Sequence, residues 1–109
     1  MLIHFENIEE TSVPHARGGE KQFDRKHVDT GDNQIMLGRL VPGASIGVHT
    51  HTDASETIYF LSGTGKMTFD GRIETITPGV CHHCPKGHSH SLENNGDEDL
   101  TFFAVIPKQ

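Results

Sequence analysis

The stretch from Gly43 to Gly63, GASIGVHTHTDASETIYFLSG, carries two histidines separated by one residue and a glutamate shortly after them. On an extended strand side chains alternate between faces, so His49 and His51 point the same way, with Cα atoms roughly 6.5–7 Å apart. That spacing lets two imidazoles converge on one ion. Glu56 opens the next strand and can fold back beside them. A third imidazole from further along the chain would complete a set of three nitrogens and one oxygen. Such a set suits a borderline divalent metal and can leave coordination positions open for substrate or oxygen.

A second stretch, VCHHCPKGHSH from Val80 to His90, concentrates four histidines and two cysteines. If Cys81-His82-His83-Cys84 is extended, Cys81 and His83 face one way while His82 and Cys84 face the other. Four such side chains cannot meet at one tetrahedral ion. A structural zinc site wants four ligands, usually as two such pairs, and the chain has only these two cysteines. The expectation is therefore a strand whose small thiols pack in the core and whose histidines sit at the rim, with one pair near the site. His88 stands two residues before His90 and repeats the His-x-His pattern. Extended geometry would put His88 on the same face, as a base or an alternative ligand; a surface position is the competing reading.

The elements that must carry these residues are short strands. The chain has 109 residues, enough for one core, with 33% hydrophobic residues and 12 glycines. Few aliphatics and many glycines fit strands joined by tight turns better than a helix bundle. Strand-like segments run over 23–28, 34–41, 45–51, 56–62, 66–69, 72–77, 80–84, 88–92 and 100–106. Turn signals separate them at 31–33, Pro42-Gly43, Asp70-Gly71, Pro78-Gly79, 85–87 and 94–97. Asp-Gly between alternating segments marks a two-residue hairpin. Residues 7–22 read as irregular, with at most one helical turn. The formal charge of −6 and the thin spread of basic residues speak against nucleic acid. The apolar runs are far short of the roughly 20 residues of a membrane helix. The N-terminus shows no basic segment followed by an apolar core, so a cytoplasmic location is the default expectation. Two cysteines make no disulfide framework, and free thiols are expected in a reducing compartment.

Two patterns together resemble a known family. Gly43, five residues, His49-x-His51, four residues, Glu56, six residues and Gly63 resemble the first motif of the cupins. Gly79, five residues, Pro85-x-Gly87, two residues, His90, three residues and Asn94 resemble the second, with 15 residues between the two. The resemblance implies an all-β fold, the double-stranded β-helix or conical jelly-roll barrel of two packed sheets, with a metal inside. It implies His49, His51, Glu56 and His90 as ligands of one divalent transition metal: iron, manganese, nickel, cobalt or zinc. It also places CHHC in the variable spacer of the second motif, away from the ligands. A single domain over 1–109 is expected, with a core barrel at about 34–106. The N-terminal arm at 1–33 would cross to a partner, giving a homodimer.

Strand parity suggests the cavity walls. Ile58 and Phe60 go with Glu56, and Leu92 goes with His90. On the strand before Pro42, either Gln34, Met36, Gly38 and Leu40 or Ile35, Leu37, Arg39 and Val41 face inward. In the second case Arg39 could hold a carboxylate. Tyr59 falls on the face opposite Glu56. Acid–base work would fall to Glu56, His88 or metal-bound water. The functional expectation is a metal-dependent enzyme acting on a small organic molecule, of oxygenase, isomerase or decarboxylase type. The alternatives are a non-catalytic module that binds or senses a small ligand, and a barrel stapled by a structural metal. No nucleic-acid or membrane partner is expected.

Overall fold

The computed structural model describes residues 1–108 as two antiparallel sheets. In chain order the strands are β1 (Thr11–Pro14), β2 (Gln22–Asp29), β3 (Asn33–Leu40), β4 (Ser45–Thr50) and β5 (Glu56–Ser62), followed by β6 (Gly65–Phe69), β7 (Arg72–Ile76), β8 (Cys81–Cys84), β9 (Ser89–Glu93) and β10 (Leu100–Pro107). The larger sheet has the order β1-β2-β3-β10-β5-β8 and the smaller β4-β9-β6-β7. This is the jelly-roll barrel, with the inward residues of both sheets forming its core. Alternation along β5 shows it directly: Glu56, Ile58 and Phe60 are buried while Thr57, Tyr59 and Leu61 are exposed. Phe60 and Phe102 pack at 5.7 Å, and Met67 and Leu92 close the core from the smaller sheet. At the predicted hairpin, Asp70 and Gly71 both adopt left-handed φ, 48° and 81°, and Phe69 pairs with Arg72 across the turn.

The N-terminal third departs from expectation. The larger sheet extends beyond the expected core at about 34–106: β2 pairs with β3, β1 pairs with β2, and Phe23 stacks on Phe102 at 5.8 Å. The segment expected to be irregular contains β1 and a 3₁₀ turn at Ala16–Gly18, with another 3₁₀ turn at Phe5–Asn7. Two glycines explain why the Ala16–Gly18 turn sits where it does. A Cβ at Gly47 would collide with the Arg17 carbonyl, and one at Gly19 with the Ser45 carbonyl. The missing side chains let the turn lie directly on β4, which carries Ala16 and Arg17 to the wall of the barrel cavity. No helix among the described residues is long and apolar enough to cross a membrane.

Candidate metal centre

Three strands and one strand end bring the four motif side chains to one point. His49 lies on β4 directly opposite His90 on β9. The β4–β9 register slips between Ile46 and His49, and such a bulge re-aims the residues that follow it. His51 stands just past β4. Its backbone is fixed by N–H donation to the His88 carbonyl at 3.0 Å and by acceptance from the Gly87 N–H at 2.6 Å. Glu56 opens β5.

The Nε2 atoms of the three histidines form a tight triangle. His49 and His51 are 3.1 Å apart, His51 and His90 2.8 Å, and His90 and His49 3.2 Å. Glu56 Oε1 is 3.1 Å from both His51 and His90. These separations test whether the set fits an ion. With metal–nitrogen bonds of about 2.1 Å, donors at right angles sit about 3.0 Å apart, and tetrahedral donors about 3.4 Å apart. The triangle matches one face of an octahedron better than a tetrahedron. Such a face would leave further positions open, unlike the closed four-coordinate geometry of structural zinc.

The protonation chemistry agrees with that fit. His49 Nδ1–H donates to the Gly47 carbonyl at 2.9 Å, which leaves its Nε2 lone pair aimed into the site. Burial lowers the basicity of His49, with the Gly47 hydrogen bond partly opposing it. Burial by itself would raise the Glu56 carboxyl, but hydrogen bonds from His51 and His90 outweigh it and hold the group at about 2. At neutral pH the set therefore presents a carboxylate together with at least one bare imidazole nitrogen. A cation could replace the protons that face Glu56.

The site closes one end of a cavity of about 310 Å³. Ile58 and Leu92 line this cavity, as parity suggests, together with Met36, Met67 and Phe102. Phe60 does not: it is fully buried in the core behind Phe102. Arg39 is also outside the cavity. Gln34 and Met36 face inward on β3, so Arg39 points to the outer face, opposite Asp24 in register. There its guanidinium meets Glu10 at 2.6 Å, Asp24 at 3.3 Å and Asp99 at 3.4 Å. His88 is likewise displaced. The turn at 85–87, with Gly87 at φ 89°, ends the extended geometry before β9 begins. The His88 ring then stacks on Phe69 and pairs with Asp70 at 2.5 Å, half exposed and away from the cavity. Tyr59 is on the outer face.

The CHHC strand follows parity but not the predicted burial. Cys81 and His83 are exposed, while His82 and Cys84 are buried. Burial is what chiefly pushes the Cys84 thiol up to about 11, so it carries no thiolate at neutral pH. Burial also lowers His82, only partly offset by Glu74. His82, expected at the rim, sits directly behind His90.

Two residues that the sequence reading assigned to the arm enter the cavity. Arg17 and Arg25 line it, and Arg25 Nε is buried with no hydrogen-bond partner. The guanidinium carbon of Arg25 lies 6.0 Å from the Phe23 ring centre. Alternation from the inward Phe23 was the one available signal, once β2 is known to belong to the barrel.

Comparison with known proteins agrees with the fold. The profile of the cupin domain matches residues 36–106. The chain belongs to the cupin family. This cupin is 32% identical over 112 residues to an oxalate-binding protein of Thermotoga maritima, covering 97% of this chain and 93% of the relative. It superimposes on a crystal structure from Thermotoga maritima, described as a predicted oxalate decarboxylase, with a TM-score of 0.93, 30% identity and full coverage of both chains. It is also 34% identical over 70 residues to an oxalate decarboxylase of Bacillus subtilis, covering 60% of this cupin but only 18% of that enzyme.

Proposed function

We propose that this cupin binds a small carboxylate of the oxalate class at a divalent metal held by His49, His51, Glu56 and His90. The observation that carries the reading is that these four donors share one cavity with Arg17 and Arg25. The cavity is otherwise mostly apolar, and its volume is at the low end of ligand pockets. A guanidinium pairs with a carboxylate through two parallel hydrogen bonds. A buried Arg25 Nε–H with no acceptor costs about 1–3 kcal/mol, which an incoming carboxylate would offset. The metal, when bound, would supply Lewis acidity toward the ligand oxygens. The similarity to an oxalate-binding protein supports the same ligand class.

A second reading is turnover of that ligand, of decarboxylase type, supported by the similarity to oxalate decarboxylases. With His88 outside the cavity, the ionisable groups lining it are the four donors and two arginines. Arginine does not give up its proton in proteins. Proton transfer in such a reaction would rest on Glu56. Calorimetry of the manganese-loaded protein with oxalate should show metal-dependent binding, and no heat with metal present would remove the proposal. Isotopically labelled oxalate separates the readings: release of labelled carbon dioxide supports turnover, and binding without release supports a binding module.

Replacing Arg25 by Met keeps most of its volume and removes its charge. Charged hydrogen bonds contribute about 1.5–3 kcal/mol, so oxalate affinity should fall roughly tenfold to a hundredfold with metal content unchanged. Unaltered affinity would detach Arg25 from the ligand.

The outer face of the larger sheet carries the exposed Tyr59 and Leu61, and Phe5 covers only part of it through an edge contact with Phe103. We propose that a second copy pairs with this face. Sedimentation should then give twice the 12.0 kDa chain mass, and Leu61→Lys should shift it toward monomer. A wild-type monomer at micromolar concentration would contradict this.

A further inference from the structure

The metal ligand His90 is the inner end of a three-residue chain that runs from the smaller sheet to β8 of the larger sheet and back. His90 Nδ1 is 3.1 Å from His82 Nε2, and His82 Nδ1 is 2.7 Å from Glu74 Oε1. Glu74 lies on β7 and His82 on β8, the edge strands of the two sheets. His82 is 4% exposed, and its ring lies edge to edge with the nearly parallel ring of His90, centroids 5.2 Å apart, and nearly perpendicular to Phe69 at 5.3 Å. The outer end is different: the Glu74 side chain is 42% exposed.

The order of donors along this chain follows from its carboxylate. A carboxylate only accepts, so His82 must donate from Nδ1. A neutral His82 then carries its lone pair on Nε2 and accepts from His90 Nδ1–H. With a cation in place of the proton that faces Glu56, His90 is thereby left with its Nε2 lone pair directed at the centre, 2.8 Å from His51 Nε2 and 3.2 Å from His49 Nε2. We propose that His82 and Glu74 are positioning residues that fix the tautomer and ring orientation of His90 and so set the metal affinity of the centre. This rests on the metal-centre reading above. Partners of this kind behind a ligating histidine typically raise metal affinity about tenfold to a hundredfold.

His82, Cys84 and His90 also place donor atoms within 4.8 Å of one another, which admits a competing reading as a soft-metal site. The hydrogen bonds speak against it: both His82 nitrogens already have partners, Glu74 and His90.

Cobalt(II) titration tests the proposal, read by its visible absorption spectrum and by competition with a chelator. The probes are wild type, Glu74→Gln, His82→Gln, His82→Ala and Cys84→Ser. Glu74→Gln changes a half-exposed group, so the barrel should stay folded while affinity falls about tenfold and the absorption bands shift. His82→Ala should lose more, and His82→Gln, whose amide can still accept from His90 and donate to Glu74, should recover part of the loss. Cys84→Ser should leave affinity unchanged. Wild-type affinity and an unaltered spectrum in both Glu74→Gln and His82→Ala would overturn the proposal. A large loss in Cys84→Ser would overturn it in favour of the soft-metal site. A wild-type protein that takes up no cobalt would overturn the metal centre itself, and this inference with it.

Discussion

His51→Ala is expected to purify with most of its metal gone and its barrel intact. The His51 Nε2 atom is central to the donor set, within 3.1 Å of His49, His90 and Glu56 alike. A four-ligand metal site contributes on the order of 10–16 kcal/mol, so one ligand accounts for about 3 kcal/mol. That corresponds to a loss of about a hundredfold in affinity. The fold should survive because the hydrogen bonds that fix this position, with the backbone of Gly87 and His88, come from the His51 main chain. Elemental analysis and thermal melting check both halves. The metal-free variant should melt close to metal-free wild type, and added metal should raise the melting temperature of wild type much more. Cys81→Ser/Cys84→Ser serves as the control and should keep its metal, since neither sulfur is among the four converging donors. Full occupancy in His51→Ala would mean that the centre lies elsewhere.

The parts of this site that could be read in advance have two sources. His49 and His51 share a face by strand alternation, whereas His90, and Glu56 as its fellow ligand, follow from the resemblance to the two cupin motifs. Parity held along β5 and β8 because both are continuous strands. It failed at His88 because β9 begins only at Ser89, so His88 belongs to the preceding turn and does not share the strand alternation. Arg39 shows another limit. Both alternating sets on β3 were open until the positions of Glu10, Asp24 and Asp99 showed where a cation would be paired. These three come from distant parts of the chain, so no local pattern reveals them. Arg17 and Arg25 were missed for a similar reason. Their place in the cavity depends on β2 joining the sheet and on close backbone approach at Gly19 and Gly47. His82 was assigned to the correct face but not to the correct depth, because burial depends on how the edges of the two sheets meet.

Asn94→Ala is expected to be the most destabilising of the substitutions considered, although Asn94 is not one of the four donors. The motif asparagine is 1% exposed. Its Nδ2 donates to the Leu40 and Glu98 carbonyls, each at 2.8 Å, and its Oδ1 accepts from the Gly96 N–H at 3.0 Å. Its main chain also bonds Gly43 and Ala44, so one residue ties together the end of β3, the start of β4 and the loop before β10. Truncation removes three side-chain hydrogen bonds and leaves buried groups without partners, at about 1–3 kcal/mol each. A loss of about 3–5 kcal/mol is a large share of the 5–15 kcal/mol typical of a whole domain. The melting temperature should fall by more than about 10 °C. Asn94→Asp should be no better, because a carboxylate oxygen would then face the Leu40 and Glu98 carbonyls. The exposed neighbour provides the contrast: Asn95→Ala should stay within about 0.5 kcal/mol of wild type. His49 and His90 pair at the other end of the β4–β9 ladder from Ser45 and Glu93. The folded fraction of Asn94→Ala should therefore bind metal with wild-type affinity, separating the residue that holds the barrel from those that hold the ion. An Asn94→Ala protein as stable as Asn95→Ala would show that the loop is held by other contacts.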